Sequence, residues 1–230
     1  MKTIGIVGGT GWVSSVEYYR LINEGINAKL GGLNFARCIL FSINYAEINA
    51  CNLRQDYDGV YNIVSDAAKK LISIGAEGIV LGANTLHFTA DKLQEEIEVP
   101  IIHIADAAAA EIKQHNISRI GLLGTRQTME QDFYKSRLRD AGIETLVPAK
   151  TVRDYINDVI MNELLKSNFK AESKKRFIEI IQELNQRGAQ GIVLGCTEIP
   201  LLIKPGDIDI PLINTLDIHC RAIVDFALEN

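Results

Sequence analysis

Residues 188–200 read GAQGIVLGCTEIP, and three adjacent side chains in that line could move a proton: the Cys196 thiol, the Thr197 hydroxyl and the Glu198 carboxylate. A thiol directly after the glycine that ends a strand, at the start of a turn or helix, meets backbone N–H donors. Its pKa is then expected to fall from the reference of about 8.5, giving a thiolate that serves as a nucleophile or as a base toward a carbon acid. Glu198 could orient or deprotonate that thiol, or begin a helix where the dipole favours a carboxylate. The chain has already written nearly the same line at 75–87, GAEGIVLGANTLH, with seven of the first eight positions identical. The copy places Ala83, Asn84, Thr85 and His87 after its glycine. Alanine carries no exchangeable proton, so a duplicated site holds its thiol in one half only.

The duplication extends through the chain. TIGIVG at 3–8 is echoed by RIGLLG at 119–124, the GIVLG lines follow each at nearly the same distance, and VPIIHIADA at 99–107 is echoed by IPLINTLDI at 210–218. Such self-similarity reads as a repeated structural unit. Short apolar runs (4–7, 37–41, 78–81, 101–104) suit parallel strands buried on both faces. Between them, Val60, Ile63, Val64, Ala67 and Leu71 recur at helical spacing, as do Phe177, Ile180, Ile181 and Leu184. The fold class is therefore α/β, and each unit is a mainly parallel sheet flanked by helices. Ser14-x-x-Glu17 and Thr128-x-x-Gln131 both fit a capping box and predict the first helix of each unit.

In open parallel sheets ligands collect beyond the carboxyl ends of the strands. Those ends carry Gly8-Gly9-Thr10, Gly82-Ala83-Asn84-Thr85, Gly124-Thr125-Arg126 and Gly195-Cys196-Thr197-Glu198. Facing one another across a pseudo-two-fold, they would line a cleft with hydroxyls, amides and backbone N–H groups, which suits a carboxylate. Thr10, Thr125, Asn84 and Thr85 are candidate ligand contacts or ordinary turn residues, and Ser14 and Thr128 candidate contacts or plain caps. The polar segment 44–59 reads as a loop beside the cleft, where Arg54 could clamp a carboxylate bidentately or simply sit on the surface. His87 could assist or tie its loop, while His103 and His219 do not align in the repeat and are expected to be structural.

Composition excludes several classes. The chain has 230 residues, 47% hydrophobic content and a net charge of −5, without a long basic cluster. A nucleic-acid backbone or an anionic membrane is thus not the expected partner, and a small molecule is. No apolar run reaches about 18 residues, and the N-terminus lacks the pattern of a secretory signal, so a soluble cytoplasmic protein is expected. Four scattered cysteines suggest neither a zinc site nor a disulfide framework. A dinucleotide fingerprint fails, because Gly9-x-Gly11-x-x-Ser14 lacks its third glycine and the second strand ends without an acidic residue.

The GGxGxxxS opening (8–15), the line at Ala83–His87, LLGTxxTM (122–129) and GCTEIP (195–200) together resemble the aspartate/glutamate racemase family, and its L-aspartate/glutamate branch in particular. The resemblance implies two similar α/β domains, 1–98 with 208–230 and 99–207, with the active-site cleft between them. It also implies a homodimer, an acidic amino acid as substrate, and no metal and no pyridoxal phosphate. Catalysis would be Cα deprotonation by one thiolate and reprotonation by a second thiol on the opposite face. It favours Arg54 as the carboxylate clamp and points to Lys166 as a further cation for the substrate, beside Thr10, Asn84, Thr85, Thr125, Thr128, Thr197 and Glu198. Ala83 stands where the family has its first cysteine or a threonine. Thr85 or water could replace the missing donor, giving a slow or one-sided racemase. A single-cysteine, decarboxylase-like reaction or non-catalytic binding of an acidic amino acid are the alternatives.

Overall fold

The computed structural model describes residues 1–229. The chain forms two compact units, one of Met1–His103 with the segment from His219 onward, the other of Ile104–Ile218. The first contains β1 (Ile4–Gly8), α1 (Trp12–Leu30), β2 (Cys38–Ser42), α2 (Tyr45–Leu53), α3 (Tyr57–Ser73), β3 (Gly78–Leu81), α4 (Ala90–Gln94) and β4 (Ile101–Ile102). The chain then enters α5 (Ile104–Gln114), β5 (Arg119–Gly124), α6 (Arg126–Glu130), α7 (Asp132–Asp140), β6 (Glu144–Leu146) and α8 (Lys150–Asn162). It continues through α9 (Ala171–Gln186), β7 (Gly191–Gly195), α10 (Ile199–Leu202), β8 (Leu212–Asn214) and α11 (Thr215–Leu228).

Each unit has a four-stranded parallel sheet, ordered β2-β1-β3-β4 in one and β6-β5-β7-β8 in the other, so the sequence repeat is a repeat of topology. The identical GIVLG lines are β3 and β7, each paired with the first strand of its unit on one side and a short edge strand on the other. Both are buried throughout, which is why they read as unbroken apolar runs rather than as alternation. The unit boundaries fall later than the 98/99 and 207/208 expected, because β4 pairs with β3 and β8 with β7 before the chain crosses.

Three expectations are corrected. The second strand is an edge strand and only partly buried, not buried on both faces. The polar segment 44–59 is not a loop: its Asn44 side chain accepts from the Ala46 N–H and starts α2, and Asp56 accepts from Gly59 N–H and starts α3. Local caps thus turn a polar stretch helical. Neither proposed capping box forms. Gly11 is the N-cap of α1, so Ser14 lies inside its first turn, and Thr125 rather than Thr128 caps α6.

The cores follow the predicted periodicities. Val60, Val64, Ala67 and Leu71 of α3 pack with Ile79 and Leu81 of β3. Phe177, Ile180, Ile181 and Leu184 of α9 pack with Ile192 and Leu194 of β7, and α5 and α7 cover the opposite face through Ile104, Ala108, Ile112, Tyr134 and Leu138. Each fully buried Leu, Ile or Phe contributes about 1.5–3 kcal/mol, so these faces hold the strand ends in place.

Candidate active site

In the second unit, β5 and β7 end side by side. A Cβ on Gly124 would lie 2.8 Å from the Gly195 carbonyl oxygen and 3.1 Å from Thr128 Cβ, and one on Gly195 3.2 Å from Thr128 Cγ2. Only glycine lets the two strand ends approach so closely. Thr128 is fully buried and seals this contact, with its backbone N–H donating to Thr125 Oγ1 at 3.4 Å and its Oγ1 3.1 Å from that hydroxyl. Thr128 therefore stands against Gly195, the residue before Cys196.

Cys196 follows Gly195 and is 7% exposed. Its Sγ–H donates to Glu198 Oε2 at 3.0 Å, and the Thr197 hydroxyl donates to the same oxygen at 2.9 Å. Glu198 is also the N-cap of α10, although its side chain makes no capping bond. Glu198 thus both begins a helix and accepts from the thiol. The expectation of a lowered thiol pKa is overturned. Burial drives it well above the ordinary value, the Glu198 charge and hydrogen bond add to that, and backbone donors at Glu198 and Ile199 oppose it without prevailing. The thiol rests protonated, with its hydrogen directed at the Glu198 carboxylate.

The first unit repeats the strand order but carries different side chains at its strand ends. The Gly82 N–H donates to the Val7 carbonyl at 2.8 Å, so β1 and β3 also end together. Gly9 turns with φ +94°, where a Cβ would lie 2.1 Å from the Ile43 carbonyl oxygen. Its N–H donates to Ser15 Oγ at 2.9 Å, a contact the sequence reading missed although Ser15 belongs to the opening motif. Thr10 Oγ1 is buried with no hydrogen-bond partner among the described residues, so it is open to a ligand or water. Ala83 is extended and its methyl packs on the apolar cluster around α3. Asn84 is buried and Thr85 half-buried at the start of a 3-10 helix, Asn84–Thr89.

His87, His103 and His219 are all buried and meet edge to face, His87 lying 4.6 Å from His103 and 5.6 Å from His219 between ring centroids. Tyr18 Oη lies 2.8 Å from His219 Nδ1, and His219 Nε2 lies 2.7 Å from the Ile102 carbonyl. A carbonyl only accepts, so Nε2 carries the proton and Tyr18 donates to Nδ1. Sequence reasoning left His87 to assist or to tie its loop and took His103 and His219 as structural, and residues 18, 87, 103 and 219 carry no shared local signal.

Two predicted substrate contacts are exposed on the surface. Arg54 is 64% exposed at the C-terminus of α2, 3.9 Å from Asp56. Lys166 is exposed on the 3-10 turn Leu164–Lys166. Among the described residues no group of three or more His, Cys, Asp or Glu side chains is placed to hold a metal ion, and no helix is long and apolar enough to cross a membrane.

The fold is α/β with two units, each built on a parallel sheet, and one of them ends a central strand in a buried thiol–carboxylate pair. The chain belongs to the Asp/Glu/hydantoin racemase family, whose model matches residues 7–223. It is 42% identical to a candidate Asp/Glu racemase from Yersinia pestis of known crystal structure, with 100% of both chains covered and a TM-score of 0.93. It is also similar to an aspartate racemase homologue from Pyrococcus horikoshii, at 36% identity, 100% coverage of both chains and a TM-score of 0.85. A broad-specificity amino-acid racemase of Bacillus subtilis is 25% identical over 70% of this chain and 69% of its own length. The matches to streptococcal glutamate racemases span 49% of those proteins, about half their length.

Proposed function

We propose that the protein exchanges and slowly inverts the α-proton of an acidic amino acid, aspartate or glutamate, without pyridoxal phosphate or metal. The observation that carries this reading is the 3.0 Å bond from the Cys196 thiol to Glu198 in a buried strand end. Glu198 takes the thiol proton, and the resulting thiolate removes the proton from Cα, leaving a carbanion, a thiol and a protonated Glu198. Return of that proton from sulfur to the same face restores the starting hand and, after Glu198 gives its proton back, the starting pair. Inversion needs a donor on the side of Ala83: Thr85 or a bound water gives up a proton there and regains one from solvent, while Glu198 releases the proton it took to solvent. Thr10, Asn84, Thr125, Thr128 and Thr197 bind the substrate carboxylates, helped by Arg54 and Lys166. The experiment is incubation of L- and D-aspartate and L- and D-glutamate in D2O, read by NMR and chiral chromatography. Deuterium at Cα of one hand, the L-form, faster than inversion is the expected result, and absence of deuterium from all four defeats the proposal.

A second reading, a binding protein that does not turn its amino acid over, is favoured by Ala83, whose methyl packs on apolar side chains. Binding of aspartate or glutamate without Cα exchange would select it. The protein is further proposed to act as a homodimer. Trp12, Val16 and Tyr19 leave an exposed apolar stripe at helical spacing on α1, and light scattering tests the state.

A further inference from the structure

The two strand-end loops are held by different means. In the second unit the Thr125 hydroxyl caps α6, and Cys196, Thr197 and Glu198 bond to one another. In the first, Ala83 is the N-cap of the Asn84–Thr89 helix and offers no side-chain cap. A 3-10 helix has weaker hydrogen-bond geometry than an α-helix, so this segment needs support from elsewhere. The support found is on the carbonyl side: Ala83 O accepts from the Leu86 N–H at 3.2 Å and stands 3.0 Å from His87 Nδ1. Because the carbonyl can only accept, Nδ1 carries the proton.

We propose that His87 is the positioning residue of the Ala83–Thr85 loop: its Nδ1–H holds the Ala83 carbonyl while its ring, wedged against His103 and His219, fixes how Asn84 and Thr85 are presented to the substrate. His103 is the last residue of the first unit before the chain crosses, and His219 the first after it returns. His219 is itself immobilised at both nitrogens, by Tyr18 of α1 and by Ile102 of β4. The wedge therefore rests on three separate elements. Burial, with the neighbouring His103 and His219 rings, keeps His87 neutral. A neutral ring with its proton on Nδ1 has only a lone pair at Nε2, so it positions the loop and does not serve as the missing acid. The titratable groups facing it are His103, after β4, and His219 of α11, with Tyr18 of α1 behind His219.

This inference rests on the function proposed above, and its test separates the two. The probes are His87→Asn, whose amide nitrogen stands where Nδ1 stood, and His87→Leu, which fills space without a donor. Long-range 1H–15N spectra of the wild type are expected to show His87 as the neutral Nδ1–H form from pH 8 to pH 5. With L-aspartate in D2O, His87→Leu is expected to lower the maximal exchange rate about thirtyfold with the concentration for half-maximal rate within about threefold, while His87→Asn stays within about fivefold of wild type. The Asn84 and Thr85 amide signals should move in the Leu variant and hold in the Asn variant. If the wild type exchanges no α-proton, the racemase reading fails, and the tautomer and those amide signals still decide the role of His87. An Nε2–H form, titration near pH 6.5, or an Asn variant no better than Leu would overturn it. Should the Leu variant not fold, the tautomer and the Asn variant carry the test.

Discussion

The loop after β3 and the loop after β7 follow equivalent strands with a nearly identical approach sequence, yet they differ in what they do with burial. After β7, burial is spent on polarity: a thiol and a hydroxyl share one carboxylate oxygen, at 3.0 Å and 2.9 Å. After β3, the corresponding position is a methyl against an apolar cluster, and the buried polar rings of His87, His103 and His219 meet one another. A duplicated fold thus supplies two equivalent positions without requiring equivalent chemistry: on the function proposed above, one loop moves a proton and the other holds a shape.

The largest expected effect tests the polar loop. Cys196→Ala should lower Cα deuterium exchange by about a thousandfold, because general-base removal typically costs two to four decades, while aspartate binding by calorimetry stays within about tenfold. Exchange at the wild-type rate in that variant would take the thiol out of the mechanism.

The second test bears on the histidine loop. Burial lowers the His219 pKa to about 4, against 6.5 for the free side chain. A group whose folded pKa is depressed contributes stability that is present above its unfolded pKa and is lost as pH falls toward the folded value. Stability should therefore fall by about 3 kcal/mol between pH 6.5 and pH 4 from this residue, with a further loss in the same direction from His87. Urea unfolding across that range measures it, and His219→Gln, which keeps a donor toward Ile102 and cannot titrate, should flatten the slope.

Glu198→Gln sharpens the reading of the thiol–carboxylate pair. It removes both a proton acceptor and a negative neighbour, so exchange should drop about 30-fold while the thiol titrates at lower pH than in the wild type. Iodoacetamide alkylation against pH reports the titration, and an unmoved curve would mean that burial alone sets it. The smallest effect expected is a gain. Ala83→Cys should raise inversion relative to exchange by about tenfold, since it supplies the donor that the function proposed above lacks at that position, and chiral chromatography would show it. No gain would mean that the frame around Ala83 no longer presents a substrate to that position.

Much of this was legible in the chain. The repeat of TIGIVG and GIVLG located the central strands, and the periodicity of Val60–Leu71 and Phe177–Leu184 located the helices that cover them, because those signals arise from neighbours a few residues apart. The adjacency of Cys196, Thr197 and Glu198 was also set by sequence, since three consecutive positions after a strand cannot separate. Tertiary structure alone decided the rest. The direction of the Cys196 shift depends on how much water is excluded and on a carboxylate's charge, both properties of surroundings in space, and burial outweighed the backbone donors that local reasoning had counted. Asn44 and Asp56 made helices of a segment that composition alone described as polar loop, because a cap acts only once a backbone is there to receive it. Tyr18, His87, His103 and His219 met only because α1, the loop after β3, the end of β4 and α11 converge, and no pattern along the chain records a contact between residues 201 positions apart.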